Sequence, residues 1–335
     1  MVQKTRVAIN GFGRIGRAAF RIAFGKNNLE IVAINDLTDN KTLAHLLKYD
    51  SVFRTYDKKV GFDGKNLVVN GKKIPCLAEK DPSKLPWKKL GVDVVLECTG
   101  AFREEKEVMA HIKAGAKKII ISAPVKGDGV NTYVLGVNSA NYKGEKIIDN
   151  ASCTTNCISP VVQVIQSKFG ILKATMTTIH SYTADQRLID APHKDLRRAR
   201  AAGVNMIPTT TGAAVATTKT IPELKGLFDG LSIRVPTIDV SISDITMLIK
   251  KNVTEKEVNN ALITASKTPR YKGILAVTEE ELVSGDFIAN PASAIVDLAL
   301  TKVVDGNLLK VVAWYDNEWG YSNRLVEMIS VVNKK

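Results

Sequence analysis

Arg6-Val7-Ala8-Ile9-Asn10-Gly11-Phe12-Gly13-Arg14-Ile15-Gly16-Arg17 is the stretch on which the fold turns. A short apolar run ends in a Gly-x-Gly-x-x-Gly string and passes directly into residues 14–24, whose spacing predicts a helix. In such a string Gly11 permits a tight turn, Gly13 lets a ligand approach the backbone, and Gly16 brings helix and strand close together. The start of the helix offers N–H groups and the positive end of a dipole to a pyrophosphate. Asp36 lies 20 residues beyond Gly16, just past a second apolar run at residues 30–35. A carboxylate there accepts hydrogen bonds from the adenosine ribose hydroxyls. It would also repel the additional phosphate of NADP, and no nearby arginine replaces it, so NAD is the favoured dinucleotide.

Outward from this unit, further apolar runs at residues 93–97, 118–122 and 146–148 read as strands, with helical stretches at 43–47 and 103–114 between them. Mostly apolar strands alternating with helices predict a Rossmann-type, doubly wound parallel sheet covered on both faces. After Asn150 the texture changes. Residues 151–170 read as a strand end turning into a long helix, and residues 173–182, 231–241 and 243–250 as longer strands of a mixed or antiparallel sheet. Thr-x-x-Glu capping patterns at Thr254/Glu257 and Thr278/Glu281 predict two helix starts. The expected organisation is therefore an α/β protein with two domains. A dinucleotide-binding domain covers residues 1–151 and is completed by a C-terminal helix at 318–335, and an α+β catalytic domain covers 152–317.

A chain of 335 residues exceeds what one hydrophobic core usually serves. No apolar run is long enough for a membrane span, and the first ten residues lack the apolar centre of a secretory signal, which predicts a cytoplasmic location. The net charge of +13 is spread along the chain rather than blocked. That reads as a solvated basic surface that also attracts anionic small molecules. Cys76, Cys98, Cys153 and Cys157 match neither a disulfide framework nor a common zinc pattern, so no metal is expected.

Ala151-Ser152-Cys153-Thr154-Thr155-Asn156-Cys157 places a cysteine at the first turn of the long helix, where the dipole favours a thiolate and hence a nucleophile near neutrality. Of four histidines, His180 ends a central strand in the polar setting Thr177-Thr178-Ile179-His180-Ser181-Tyr182-Thr183, where a neutral imidazole can act as base to that thiol. His45, His111 and His193 read as structural, and Cys157 as a packed neighbour.

The segments at 11–17, 151–157, 179–183, 197–201, 208–213 and 314–323 together resemble the phosphorylating glyceraldehyde-3-phosphate dehydrogenase family, over residues 5–333 and in the family's order. The resemblance implies that Cys153 forms a thiohemiacetal with the aldehyde of D-glyceraldehyde 3-phosphate, and that His180 takes the hydroxyl proton as NAD is reduced. Inorganic phosphate would then cleave the thioester to 1,3-bisphosphoglycerate. The Cys153 N–H and the His180 ring would hold the oxyanion. It implies further that Thr183 and Arg234 bind the substrate phosphate, and that Ser152, Thr154, Arg198, Thr211 and Gly212 bind the attacking phosphate. Asn317 would hold the nicotinamide carboxamide, with Arg14, Ile15 and Ser122 contacting the cofactor. Lys80 stands where many members have an arginine near the adenine. The arginine-rich loop at 181–208 is similar to the family's S-loop, which reaches a neighbouring subunit's cofactor in a homotetramer, and Pro192 and Leu37 match its NAD-specific version.

Two other readings bear on function. Erythrose-4-phosphate dehydrogenase shares the Ser-Cys-Thr-Thr-Asn-Cys core but usually replaces the Thr-Thr-Gly segment, which is intact here as Thr210-Thr211-Gly212-Ala213-Ala214. A nucleic-acid-binding or cell-surface role resting on the basic charge lacks a recognition module, so it stands at most as a secondary activity.

Overall fold

The computed structural model describes residues 4–127 and 129–334; residues 1–3, part of the N-terminal reading above, lie outside the described residues, as do Asp128 and Lys335. The chain divides into two compact units, one of residues 1–133, 141–151 and 322–335, the other of 134–140 and 152–321.

In the first unit the apolar runs become parallel strands with helices between them. β1 (Thr5–Asn10) leads through the glycine turn into α1 (Arg14–Ala23), then β2 (Leu29–Asn35) and α2 (Asn40–Lys48). Asp39 caps α2 by accepting the Thr42 N–H, so this helix is longer than its apolar residues alone predict. An antiparallel ribbon of β3 (Val60–Phe62), β4 (Asn66–Val69) and β5 (Lys72–Leu77) precedes β6 (Val94–Glu97), α3 (Glu105–Lys113), β7 (Lys118–Ile121), β8 (Asn131–Thr132) and β9 (Ile147–Asp149). The sheet order is β3-β4-β5-β2-β1-β6-β7-β9-β8. Its pairs from β5 to β8 are parallel. Stepping outward on both sides of β1 is the doubly wound pattern, and it gathers the C-terminal ends of β1, β2 and β6 beside the glycine turn. Ala8, Ala33, Val95 and Ile119 pack with Trp87 and Val108 in one core cluster.

The second unit opens with α4 (Cys153–Phe169) and β10 (Ile171–Ser181), followed by β11 (Ile207–Thr210), α5 (Ala213–Thr220), β12 (Phe228–Val235), β13 (Ser241–Ile249) and α6 (Glu255–Ser266). β14 (Leu275–Thr278), β15 (Ala294–Asp297), β16 (Lys302–Val304), β17 (Leu308–Tyr315) and α7 (Trp319–Val332) complete the described chain, the last helix straddling the boundary between the units. The sheet runs β11-β12-β10-β13-β17-β15-β14, with β16 on β17, and is mixed: β10 pairs parallel with β12 and antiparallel with β13. α4 is buried on most of its circumference, Thr154, Thr155, Asn156 and Ser159 included, and Ile158, Val161 and Ile165 join Ile245, Met247 and Val311 in the core.

Two expectations fail here. Residues 231–241 are not one strand, because β12 stops at Val235 before Pro236, which has no N–H for the ladder. The chain then turns through Val240 at φ +67 before β13 begins. Thr278/Glu281 starts no helix: Thr278 ends β14 and its hydroxyl accepts the N–H of Glu280, two residues on, closing a turn instead of capping a third position. Thr254/Glu257 does form the reciprocal capping box of α6.

Candidate active site

In the first unit the glycine turn is built as the sequence requires. Gly11 has φ +89, and a Cβ on it would lie 2.6 Å from the Thr99 backbone nitrogen. A Cβ on Gly16 would lie 2.1 Å from the Gly11 carbonyl oxygen, so both positions exclude any side chain. Gly13 is different, with open space where its Cβ would be, and it caps α1 without any side-chain partner. That leaves a cradle shaped for an anion at a helix start. Asp36 accepts the Phe12 N–H at 2.7 Å and the Thr38 N–H at 2.9 Å, which holds its carboxylate beside the turn. These residues fit a dinucleotide. Arg14 directs its guanidinium to Asp50 at 2.5 Å and over the Phe53 ring. Ile15 is the next residue of α1. Ser122 follows β7 and donates its N–H to Glu97 O, and Lys80 is exposed beyond β5. Pro192 and Asn317 belong to the second unit.

The second unit brings a cysteine and a histidine together. Ala151 takes φ +57, an uncommon left-handed conformation for alanine, and the chain passes from there into α4. Ser152 caps the helix by accepting the Thr155 N–H, so Cys153 is its first residue. β10 carries His180 to the same place, with Nε2 3.5 Å from Cys153 Sγ. The other ring nitrogen, Nδ1, lies 2.7 Å from the Ser181 carbonyl. The carbonyl only accepts and is the nearer partner, so it favours hydrogen on Nδ1, which turns the Nε2 lone pair toward the thiol and leaves the Arg234 guanidinium against Nδ1 without a bond to it. Arg234 pairs in register with His180 across β10 and β12. Its Nη1 donates to Ser181 O at 3.2 Å and Thr183 Oγ1 at 3.3 Å, and lies 3.1 Å from His180 Nδ1.

Electrostatics add a second influence on the thiol. The position at a helix start predicts a thiolate, but burial pushes the Cys153 thiol up from its ordinary value, and the Arg234 charge opposes this only in part. Burial, and next the Arg234 charge, hold His180 down to about 3. Burial thus works against charge on either member of the pair, since a low-dielectric pocket penalises an isolated charge of either sign.

Beyond this pair, Tyr315 at the end of β17 places its hydroxyl 2.9 Å from Thr154 Oγ1 and 2.8 Å from Thr178 Oγ1, locking the residue after Cys153 to the strand that carries His180. Asn317 is buried, and its Oδ1 accepts from Ser181 Oγ at 2.9 Å and Ser241 Oγ at 2.8 Å, which commits its Nδ2 as a donor. Arg198 in the long loop bonds Asp185 at 2.6 Å, Thr209 Oγ1 at 2.9 Å and the Thr210 carbonyl at 3.2 Å. Thr211 accepts the Ala213 N–H, and Gly212 caps α5 with open space at its Cβ. Cys157 is fully buried in the core. Sequence reasoning missed Thr178, Ser181, Ser241 and Tyr315. Thr178, Ser181 and Tyr315 lie in the quoted motifs and Ser241 lies outside them, and what all four touch depends on strand register.

The profile described as "Glyceraldehyde 3-phosphate dehydrogenase, NAD binding domain" matches residues 5–105, and its C-terminal-domain counterpart matches residues 152–317. The glyceraldehyde-3-phosphate dehydrogenase of Geobacillus stearothermophilus is 52% identical over 332 residues, covering 98% of each chain. Glyceraldehyde-3-phosphate dehydrogenase 2 of Synechocystis is 51% identical, over 98% of this chain and 99% of the relative. Glyceraldehyde-3-phosphate dehydrogenase 1 of Bacillus subtilis is 52% identical over 98% of each. With both domain profiles matched in order and half the residues identical along nearly its whole length, the chain belongs to the glyceraldehyde-3-phosphate dehydrogenase family.

Proposed function

We propose that the chain catalyses the reversible, NAD-dependent oxidative phosphorylation of D-glyceraldehyde 3-phosphate to 1,3-bisphosphoglycerate, with Cys153 as nucleophile and His180 as acid–base. The observation that carries this reading is the 3.5 Å approach of Cys153 Sγ to an imidazole nitrogen whose lone pair faces it. Cys153 adds its sulfur to the aldehyde carbon, and the carbonyl oxygen gains the thiol proton by way of His180. His180 then accepts that hydroxyl proton as the carbon is oxidised to the thioester. NAD, when bound, supplies the acceptor for the hydride that leaves this carbon. Inorganic phosphate attacks the thioester, the C–S bond breaks, and His180 returns its proton to the sulfur. Two modest barriers thereby replace one high one.

Arg234 and Thr183 hold the substrate phosphate; the guanidinium fork and a hydroxyl 3.3 Å away are the donors that phosphate oxygens take. Ser152, Thr154, Arg198, Thr211 and Gly212 hold the attacking phosphate. Gly11, Gly13, Arg14, Ile15, Gly16, Asp36, Lys80, Ser122, Pro192 and Asn317 serve NAD, the last donating through Nδ2 to the nicotinamide carboxamide oxygen. The protein works as a cytoplasmic homotetramer. In support, the long loop exposes Leu188 at 85%, Leu196 at 80% and Val204 at 79%, more apolar surface than one loop of a monomer ordinarily leaves in water. Its four cysteines are free thiols, which suits a reducing compartment, and no helix among the described residues is long and apolar enough to cross a membrane.

The test is spectrophotometric. Glyceraldehyde 3-phosphate and erythrose 4-phosphate are compared, each with and without phosphate or arsenate. Preference for the triose and strict dependence on the oxyanion are expected; NADH formation at equal rates without oxyanion would refute the phosphorylating reaction. Cys153→Ser should fold and bind NAD yet give no NADH burst, and a normal burst would remove the nucleophile assignment.

A further inference from the structure

Under the glycine turn lies a polar cluster that the proposed reaction does not use. Asn10, Asn35, Glu97 and His111 come from the ends of β1, β2 and β6 and from α3, and all four are buried, His111 completely. Glu97 is their centre. Its Oε2 accepts from Asn10 Nδ2 at 2.5 Å and lies 3.1 Å from His111 Nε2. Its Oε1 accepts the Thr99 N–H at 2.8 Å and the Thr99 hydroxyl. Asn10 Oδ1 in turn accepts from Asn35 Nδ2 at 2.7 Å, and Asn35 O accepts the Gly11 N–H at 2.8 Å. Three of these residues adjoin the elements proposed to take the cofactor: Asn10 precedes Gly11, Asn35 precedes Asp36, and Thr99 is the residue against which Gly11 packs.

His111 is set by its other neighbour. Trp87 Nε1 points at His111 Nδ1 from 2.9 Å. An indole nitrogen only donates, so Nδ1 accepts and Nε2 carries the hydrogen that goes to Glu97. The arrangement therefore has a direction, from Trp87 through His111 to Glu97 and on to the ends of three strands. A buried carboxylate receiving four donors fixes the spacing of the groups that donate to it, because moving any of them leaves a charged oxygen undersolvated.

We propose that Glu97, oriented by His111, is a positioning residue for NAD: it sets the distance between the glycine turn that takes the pyrophosphate and Asp36, which takes the adenosine ribose. The inference rests on the reading of that turn as the dinucleotide site. It assigns the effect to the adenosine diphosphate half of the ligand, so NAD and ADP-ribose respond alike.

The test separates positioning from mere stability by splitting the two jobs of His111. His111→Gln keeps an N–H at the Nε2 position for Glu97 and loses the acceptor for Trp87. His111→Asn keeps an acceptor near Nδ1 and loses the donor to Glu97. Full-length variants are titrated calorimetrically with NAD and with ADP-ribose, and melted thermally. Both variants should lose Tm, but only His111→Asn should weaken both ligands, by about tenfold, the loss expected for a hydrogen bond to a charged group. His111→Gln should bind within about twofold of the parent on the same scale. Thr99→Val, at an exposed position that does not threaten the fold, should weaken both ligands in the same sense. Equal dissociation constants for the two His111 variants, or unchanged binding in both His111→Asn and Thr99→Val, would overturn the proposal. Asp36→Ala is the reference: if it too leaves both ligands unaffected, the dinucleotide assignment itself fails.

Discussion

The proposed phosphate contact of Arg234 and its electrostatic effect on His180 can be pulled apart by a pair of substitutions. Its guanidinium bonds Ser181 O and Thr183 Oγ1, and its charge is the second cause, after burial, that holds His180 down to about 3. Arg234→Leu removes both the charge and the fork. Loss of charge-assisted bonds to a phosphate costs about 1.5–3 kcal/mol each, so kcat/KM for glyceraldehyde 3-phosphate should fall by roughly 10- to 150-fold for each bond lost. For unphosphorylated glyceraldehyde, which has no phosphate to lose, kcat/KM at the pH optimum should change far less. The pH profile supplies the second readout. Arg234 disfavours the imidazolium, so without it His180 protonates at higher pH, and the acid limb of kcat/KM moves upward. Arg234→Lys keeps the charge but not the planar fork, so it should lose affinity for the phosphorylated substrate while leaving the acid limb near its original place. Because His180 is held down to about 3, the parent's His180 limb lies below the range of steady-state assays run across pH 5–9 with both aldehydes, and an acid limb should move toward or into that range only in Arg234→Leu. Equal losses for the two aldehydes in Arg234→Leu would refute the phosphate role, and an acid limb that stays put or moves downward would refute the electrostatic one.

The buried carboxyl pair of Asp239 and Asp316 makes a stability prediction. Burial first, and then the neighbouring Asp316 charge, push Asp239 up to about 9, and burial pushes Asp316 up to about 6. The folded pair thus holds protons that the unfolded chain has released above about pH 4, so stability falls as pH rises from about 4 toward 9. Asp239→Asn, which stays neutral, should raise Tm by at least about 2 °C at pH 8 and change it little at pH 4; a larger gain at pH 4 than at pH 8 would show the sign to be wrong. For Asp36→Ala, loss of the carboxylate beside the glycine turn should weaken NAD binding about tenfold and improve the relative use of NADP. Unchanged cofactor preference in steady-state assays with both dinucleotides would count against its ribose role.

Much of the first unit can be read along the chain because its governing constraints are local. The turn at Gly11 needs φ +89 and the backbone of Thr99 at its side, demands that only glycine meets. An apolar strand before it, a helix after it and an acid 20 residues on complete a pattern whose parts lie within forty residues. The start of α4 is equally local, since a serine cap one residue before a cysteine fixes where the thiol sits on the helix. The ribbon of β3 to β5 was not legible, because its short strands carry little periodicity and acquire their pairing from one another. Residues 231–241 misled because an apolar run looks continuous until the proline at 236 is placed in a ladder it cannot join.

Read as one dimension, then, the chain specifies its glycine turn, the acid 20 residues beyond it, its helix-capped thiol and a histidine at a strand end, each through steric or hydrogen-bonding demands between near neighbours. The protonation state of that thiol and that histidine comes from elsewhere. It depends on how deeply they are buried and on Arg234, which reaches His180 because β10 and β12 run parallel in that register. The same holds for Tyr315 between Thr154 and Thr178, and for Glu97 beneath the glycine turn. Strand pairing and exclusion of water act between residues far apart in sequence, so these contacts exist only once the whole sheet has closed.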